Sequence, residues 1–332
     1  MKNSFLLLLL IFMISCQDND PDPLQKNVAS YDVYVAGMEN NKACYWKNNV
    51  KVDLVSGNNI GPRKVIVENN NVYVFADGSF WKNNTKYDFS SYLGAAPNST
   101  IRIRDFYVKN NDVYVVGNIR GTSIYPIEHC YWKNGVKNVL FTETGSSTSG
   151  YLTDITVHNT DVYVPVIKYP APNNSEIGYY KNNNYTSIIQ NNSLAHGIES
   201  NTNGVFMVIH DSGAHSSYFK NLLNNTNHYT TSGGRVNVRL DHNDIYSFSG
   251  QSYYKNGNMI PVNNPNGFND ITDLKVLDGN NYMICKKISQ ATGSLNIAYK
   301  VFINGVETQQ IDHITNNVHL GNIFESIFVV EN

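Results

Sequence analysis

Asp32-Val33-Tyr34-Val35-Ala36-Gly37, followed by Tyr45-Trp46-Lys47-Asn48-Asn49, decides the fold because the same couplet returns along the whole chain. It reappears as Asn71-Val72-Tyr73-Val74 with Phe80-Trp81-Lys82-Asn83-Asn84, and as Asp112-Val113-Tyr114-Val115-Val116-Gly117 with Tyr131-Trp132-Lys133-Asn134-Gly135. A fourth copy pairs Asp161-Val162-Tyr163-Val164 with Tyr179-Tyr180-Lys181-Asn182. Weaker copies begin at Gly204-Val205-Phe206-Met207, Asp244-Ile245-Tyr246 and Asn281-Tyr282-Met283-Ile284. The first apolar positions are 33, 72, 113, 162, 205, 245 and 282, so the steps are 39, 41, 49, 43, 40 and 37 residues. A repeat near forty residues, with four strands in each, is the period of a β-propeller.

Each repeat parses into four strands. Residues 63–68 form a first strand, Asn69-Asn70 turn the chain into Val72-Tyr73-Val74, and a loop leads to Phe80-Trp81. Asn83-Asn84 then turn it into a fourth strand near Lys86-Tyr87-Asp88-Phe89. Asn-Asn, Asn-Asp and Asn-Gly pairs suit two-residue hairpins because Asn and Gly tolerate positive φ. The first repeat has no inner strand of its own, yet the chain ends on Ile323-Phe324-Glu325-Ser326-Ile327-Phe328-Val329-Val330-Glu331-Asn332, the pattern of the inner strand Val65-Ile66-Val67-Glu68. The expected fold is therefore all-β: a seven-bladed β-propeller of four-stranded blades over residues 31–332, closed by the C-terminal strand completing the first blade. Closure of this kind protects sheet edges that would otherwise invite aggregation.

Blades pack face to face, so both faces of each sheet are buried and successive residues fill different inter-blade spaces. The paired aromatics Tyr45-Trp46, Phe80-Trp81 and Tyr131-Trp132 are thus read as core, since all three tryptophans share one repeat position. The lysine that follows in six repeats is read as a solvated, snorkelling side chain.

The 332 residues carry a formal net charge of -2, with 16% charged and 41% hydrophobic residues, a composition that supports a large core and is not that of a disordered chain. A near-neutral chain without a basic run offers phosphate backbones nothing to grip, which excludes nucleic acid as an expected partner. Beyond Cys16, Cys44, Cys130 and Cys285 show no metal-clip or redox spacing and read as small buried hydrophobes. An exported compartment permits a disulfide, but three cysteines leave at least one thiol free.

Lys2 and the apolar run Phe5–Ile14 suit a secretory signal and are too short to span a bilayer, which takes roughly 20 residues. Met13-Ile14-Ser15-Cys16 resembles the lipobox of bacterial lipoproteins. That resemblance implies a signal peptide over 1–15, cleavage before Cys16, and acyl chains on Cys16 that hold the protein on a membrane. Gln17-Asp18-Asn19-Asp20 and Pro21-Asp22-Pro23 make residues 16–30 an extended acidic tether. An acidic cluster directly behind the lipidated Cys resembles the surface-export signal of Bacteroidota lipoproteins, which implies an outer-membrane, surface-exposed address; the alternative is a solvated linker with no sorting role and a periplasm-facing protein. The repeat architecture resembles the seven-bladed propellers of the WD40 and kelch classes without their signature motifs. It is also similar to uncharacterised Bacteroidota propeller lipoproteins, a resemblance that implies fold and address but no reaction.

Tight Asn turns share one rim of such a ring, so longer, variable connections fall on the other, where binding residues concentrate. The candidate rim carries Arg120, Tyr125 and His129 in 118–130, Tyr169 in 166–178, His196 at an inter-blade step, and His210, Asp211 and His215 in 209–217. A further long connection spans 286–297. His210-Asp211 with His215 is the one constellation whose residue types suit metal or proton chemistry. Isolated loop histidines are more often simply solvated, so no metal site and no cofactor are expected. Gly-x-Ser-x-Gly and repeated Asp-box motifs are absent. The leading expectation is a membrane-anchored binding module for a glycan or protein partner. The alternatives are a scaffold or accessory subunit of an envelope complex, and a hydrolase or lyase acting on polysaccharide.

Overall fold

The hairpin corners are built by asparagines in the left-handed region: Asn69 and Asn70 at φ 49° and 61°, Asn83 and Asn84 at 48° and 67°, Asn134 at 50° and Asn182 at 53°. A type I′ turn needs positive φ at both central residues, which asparagine accepts at little cost. The computed structural model describes residues 30–332 except 146–148, 172–173, 191–192, 233–235, 292–293 and 316–320. The signal peptide, Cys16 and the tether apart from its last residue lie outside the described residues.

The rest of the repeated couplet locks these corners. In blade three, Asn134 Oδ1 accepts the Val113 N–H at 2.8 Å while its amide donates to Asp112 Oδ1 at 2.7 Å. Lys133 completes the device, with Nζ 2.8 Å from Asp112 Oδ2 and 5.5 Å from the Tyr114 ring centroid. The same set recurs as Asp161, Tyr163, Lys181 and Asn182, and as Asp244, Tyr246, Lys255 and Asn256. The Asp-Val-Tyr…Lys-Asn signature is therefore an internal brace: its lysines are committed to their own blades.

Seven sheets result, each with an inner, second, third and outer antiparallel strand. The inner strands, in chain order, are Pro62–Glu68, Thr100–Lys109, Ser149–Leu152 with Thr156–His158, Ser193–Asn201, Asn237–Asp241, Asp270–Leu277 and Ile323–Glu331. The last of these pairs with Tyr31–Glu39, as Val33↔Val329 and Val35↔Ile327, and so completes blade one. Phe324 on this closing strand is fully buried and meets Trp46 edge-on, 4.9 Å between ring centroids. Trp81 and Trp132 are fully buried between blades, each contributing on the order of 1.5–3 kcal/mol through burial. Cys44, Cys130 and Cys285 are buried and free, and burial pushes each thiol up to about 12.

Three of the connections expected to be long loops are mostly strand. Asp161–Ala171 pairs with Asn174–Lys181, Gly204–Asp211 with Ser216–Asn221, and Asn280–Ala291 with Ser294–Ile303. Their strands run on into polar residues such as Lys168, Lys286, Lys287 and Ser289, which a reading keyed to polarity takes for loop. In blade three the expectation holds over 121–126, between Asp112–Arg120 and Ile127–Lys133.

Candidate binding site at the channel and its loop rim

Five inner strands carry one extra residue opposite the second strand: Arg63, Arg104, His196, Thr272 and Glu325. Such a bulge re-aims the side chains around it. In two blades it also explains the glycine of the Val-Tyr-Val-x-Gly motif, because a Cβ on Gly37 would lie 2.0 Å from the Ile323 carbonyl oxygen. On Gly117 it would lie 2.1 Å from that of Arg102.

The residues after the five bulges, Lys64, Asp105, Gly197, Asp273 and Ser326, together with Asp154 and Asn237 at the same register in the other two blades, form a layer around the central channel. Members of this layer join neighbouring blades. Asp154 accepts the Ile155 N–H at 2.7 Å and, from the next blade, the Ile198 N–H at 3.1 Å. Asp273 accepts the Leu274 N–H and the Ile327 N–H, both at 2.9 Å. Ser326 Oγ accepts the Val65 N–H at 3.2 Å. Two residues along each strand, a second layer holds Ile66, Tyr107, Thr156, Glu199, Arg239, Lys275 and Phe328.

The two layers enclose a cavity of about 240 Å3 lined by Lys64, Asp154, Glu199, Arg239, Asp273 and Lys275 among apolar positions that include Ile66, Ile198 and Phe328. Lys64 Nζ donates to both oxygens of Asp105, at 2.9 and 3.0 Å, and the Asp105 and Asp154 carboxyls are hydrogen-bonded to each other. Burial pushes the Asp105 carboxyl up, but the Lys64 charge outweighs it and holds Asp105 below the usual range. Burial and the Asp105 charge raise Asp154 well above it, so the pair retains one proton. Arg239 donates to Asp273 Oδ1 at 2.6 Å, to the Leu274 carbonyl at 2.7 Å and to the Val238 carbonyl at 2.8 Å. Glu199 Oε1 lies 4.0 Å from Lys275 Nζ, while its Oε2 is buried without a hydrogen-bond partner. At the mouth, burial and the Asp273 charge raise Glu325.

The loop rim above carries a cation–aromatic row over blades three and four. The exposed Arg104 guanidinium lies 5.7 Å from the Tyr151 ring centroid, and Tyr151 lies 6.3 Å from Tyr169. Beside the row, Lys168 Nζ sits 3.5 Å from the Tyr185 centroid, 5.2 Å from Tyr180 and 5.4 Å from Phe141, and burial lowers its pKa.

Of the rim residues expected from sequence, Tyr169 joins this row, half-buried. Arg120 ends its strand and pairs with Thr100 and Ile127; Tyr125 lies half-buried in the 121–126 loop. His129 is buried, stacked on Phe141 at 4.1 Å and 3.0 Å from Glu143; burial lowers its pKa despite that carboxylate. His196 occupies a bulge, its ring 6.1 Å from that of the buried His210, whose Nδ1 is 3.3 Å from Ser217 Oγ. Asp211 accepts the Gly213 and Ala214 N–H groups of its own turn, and His215 sits exposed at φ 49°. The four site members that sequence reading missed most plainly are Arg104, Tyr151, Glu199 and Arg239. A signal was present for part of the site: Asp105-Phe106 beside Arg104, Asp154-Ile155 beside Tyr151 and Asp273-Leu274 beside Lys275 repeat one pattern, a carboxylate placed before the apolar core of a strand. The strands of Glu199 and Arg239 instead carry Gly197-Ile198 and Asn237-Val238 there.

On the opposite rim, Asp241, His242 and Asp278 bring metal-type donors together. Asp241 already accepts the Asp278 and Gly279 N–H groups at 3.1 and 2.9 Å, and Asp278 Oδ2 accepts the Tyr31 hydroxyl at 2.6 Å. Glu68 does the equivalent work between blades two and three, accepting from the Asn110 and Asn111 N–H groups. These carboxylates join blades.

No family model matches the sequence, and no curated protein matches it. Solved structures are similar to the chain at low identity. A protein of unknown function from Bacteroides caccae is 11% identical, covering 91% of this chain and 100% of its own, at a TM-score of 0.42. Apo AztD from Citrobacter koseri is 9% identical, covering 90% and 98%, at 0.44. A puromycin-hydrolysing peptidase from Mycobacterium tuberculosis is 9% identical at a TM-score of 0.51, covering 85% of this chain and 52% of that longer one. Likeness at this level concerns the fold alone.

Proposed function

We propose that the protein is a lipid-anchored binding module of the outer cell surface that recognises a glycan on the loop rim of blades three and four. The address rests on the lipobox ending in Cys16 and the acidic residues behind it. The recognition reading rests on one observation, the row formed by Arg104, Tyr151 and Tyr169. Tyrosine rings offer an apolar face to the C–H face of a sugar and a hydroxyl at the edge, and a guanidinium donates to sugar hydroxyls in a fixed plane. A docking scaffold would present one broad apolar patch. The exposed Val50, Val136, Met259 and Val306 instead stand on four different blades, next to turns into outer strands, with Val55 and Val139 exposed farther along two of those strands. A hydrolase acting through Asp154 or Asp273 would need those carboxylates free to reach substrate, and both are engaged by backbone N–H groups.

Titration calorimetry of residues 24–332 against a glycan panel tests the reading. Tyr169→Ala removes one stacking face, about 0.5–1.5 kcal/mol, and should weaken a binding glycan roughly threefold to tenfold. A glycan that binds equally well to Tyr169→Ala and Tyr151→Ala would place the site elsewhere, and a panel without a binder at millimolar concentration would remove the reading.

A further inference from the structure

Tyr151 and Asp154 are neighbours in sequence on blade four, three residues apart, and Arg104 immediately precedes Asp105 on blade three. At ~3.3 Å per residue the channel layer is within about 10 Å of the rim aromatics, the reach of one or two sugar units. The volume of about 240 Å3 exceeds the ~150 Å3 of a cavity that takes one benzene ring, so a single ring is of the size that fits.

We propose that this channel cavity receives the terminal residue of the bound glycan, and that it selects an uncharged sugar. The inference rests on the glycan reading above and adds the identity of the terminal unit. Three cations face or border the cavity, Lys64, Arg239 and Lys275, against three carboxylates, Asp105, Glu199 and Asp273, while Asp154 shares its proton with Asp105. The lining is charge-balanced. The lining therefore offers no net opposite charge to a uronic acid or an amino sugar, and a neutral ring needs none. The lining also asks for what hydroxyls supply. Glu199 Oε2 is buried without a donor, and the side chain, 23% exposed, can turn its carboxylate so that an oxygen accepts from a ligand hydroxyl, which relieves the cost of that unpaired oxygen. Lys275 Nζ, 4.0 Å from the other Glu199 oxygen and 5.7 Å from the Phe328 centroid, is placed to donate to a second hydroxyl. One hydroxyl acting as donor and its neighbour as acceptor is the ordinary pattern of a neutral sugar.

Charge-changing variants of the same shape give the test, read by calorimetry on glycans that differ only in a terminal hexose, hexuronate or hexosamine. The wild-type chain should prefer the hexose. Glu199→Gln leaves one excess positive charge, so it should lose at least tenfold for the hexose-terminated glycan and gain for the hexuronate. Lys275→Gln should shift preference toward the hexosamine, which keeps the test decisive if either variant folds poorly by circular dichroism. Hexose binding unchanged in both variants would overturn the channel inference while leaving rim recognition standing. A wild-type preference for a charged terminus would overturn it as well. Absence of any glycan binding to the wild type would overturn both.

Discussion

Replacing Asp273 by alanine should loosen the ring where it closes. Asp273 stands on the last complete blade, and its side chain, 10% exposed, accepts from three donors. One oxygen takes the Arg239 guanidinium at 2.6 Å and the Leu274 N–H at 2.9 Å; the other takes the Ile327 N–H of the C-terminal strand at 2.9 Å. Removing one partner of a buried ion pair costs about 3–5 kcal/mol, because the other charge is left uncompensated. Each orphaned N–H alone would cost about 1–3 kcal/mol, and the contributions overlap, so the expected loss stays near 3–5 kcal/mol. Asp273→Asn keeps one acceptor oxygen and should lose less. Asp53→Ala, which breaks pairs to Lys42 and Lys51 on a side chain 44% exposed, should change stability by less than about 1 kcal/mol. Urea unfolding followed by tryptophan fluorescence measures all three, with hydrogen exchange at Ser326–Phe328 reporting the joint itself. A loss below about 1 kcal/mol for Asp273→Ala, or unaltered exchange there, would refute the closure argument.

Two further outcomes follow from the bulges and the channel. Gly117→Ala should destabilise by at least about 2 kcal/mol in thermal or urea unfolding, since its Cβ would meet the Arg102 carbonyl oxygen at 2.1 Å and backbone cannot step aside. Gly121→Ala, with open space around it, should be neutral within about 0.5 kcal/mol, and equal effects at the two sites would contradict the register. For Asp154, burial and the Asp105 charge raise the folded pKa above its ordinary 3.8, so the folded chain binds that proton more tightly than the unfolded one. That contribution is complete below the unfolded value and fades as pH rises through the folded value. Asp154→Asn carries its amide protons at every pH, so its stability relative to wild type should climb as pH rises above 4; parallel curves between pH 4 and 9 would show that Asp154 does not hold a shared proton.

The fold was legible because its determinants are local and repeated. Asp112, Tyr114, Lys133 and Asn134 brace one hairpin within a single blade, so each blade writes the same signature into the sequence. The closing strand was legible for a similar reason: Ser326-Ile327-Phe328-Val329 matches Lys64-Val65-Ile66-Val67 position for position. The channel was not. Glu199, Arg239 and Lys275 come from three blades, and each looks on its own like an ordinary outward-facing strand residue. Only ring closure turns that face inward. The rim was half legible: Tyr169 was found from its place in a long connection, whereas Tyr151 and Arg104 lie on inner strands and gave no loop signal. His210 and Asp211 attracted notice by residue type, but strand alternation buries one and commits the other to its own turn.

The most direct test of glycan recognition at this rim is hydrogen exchange on residues 24–332 with and without a bound glycan, read peptide by peptide. The account predicts slowed exchange in the segments around 100–105, 149–155 and 166–170, with the turn rim near Asp241 and Asp278 unchanged. Protection centred on the turn rim or on the outer strands, with those three segments unaffected, would contradict it.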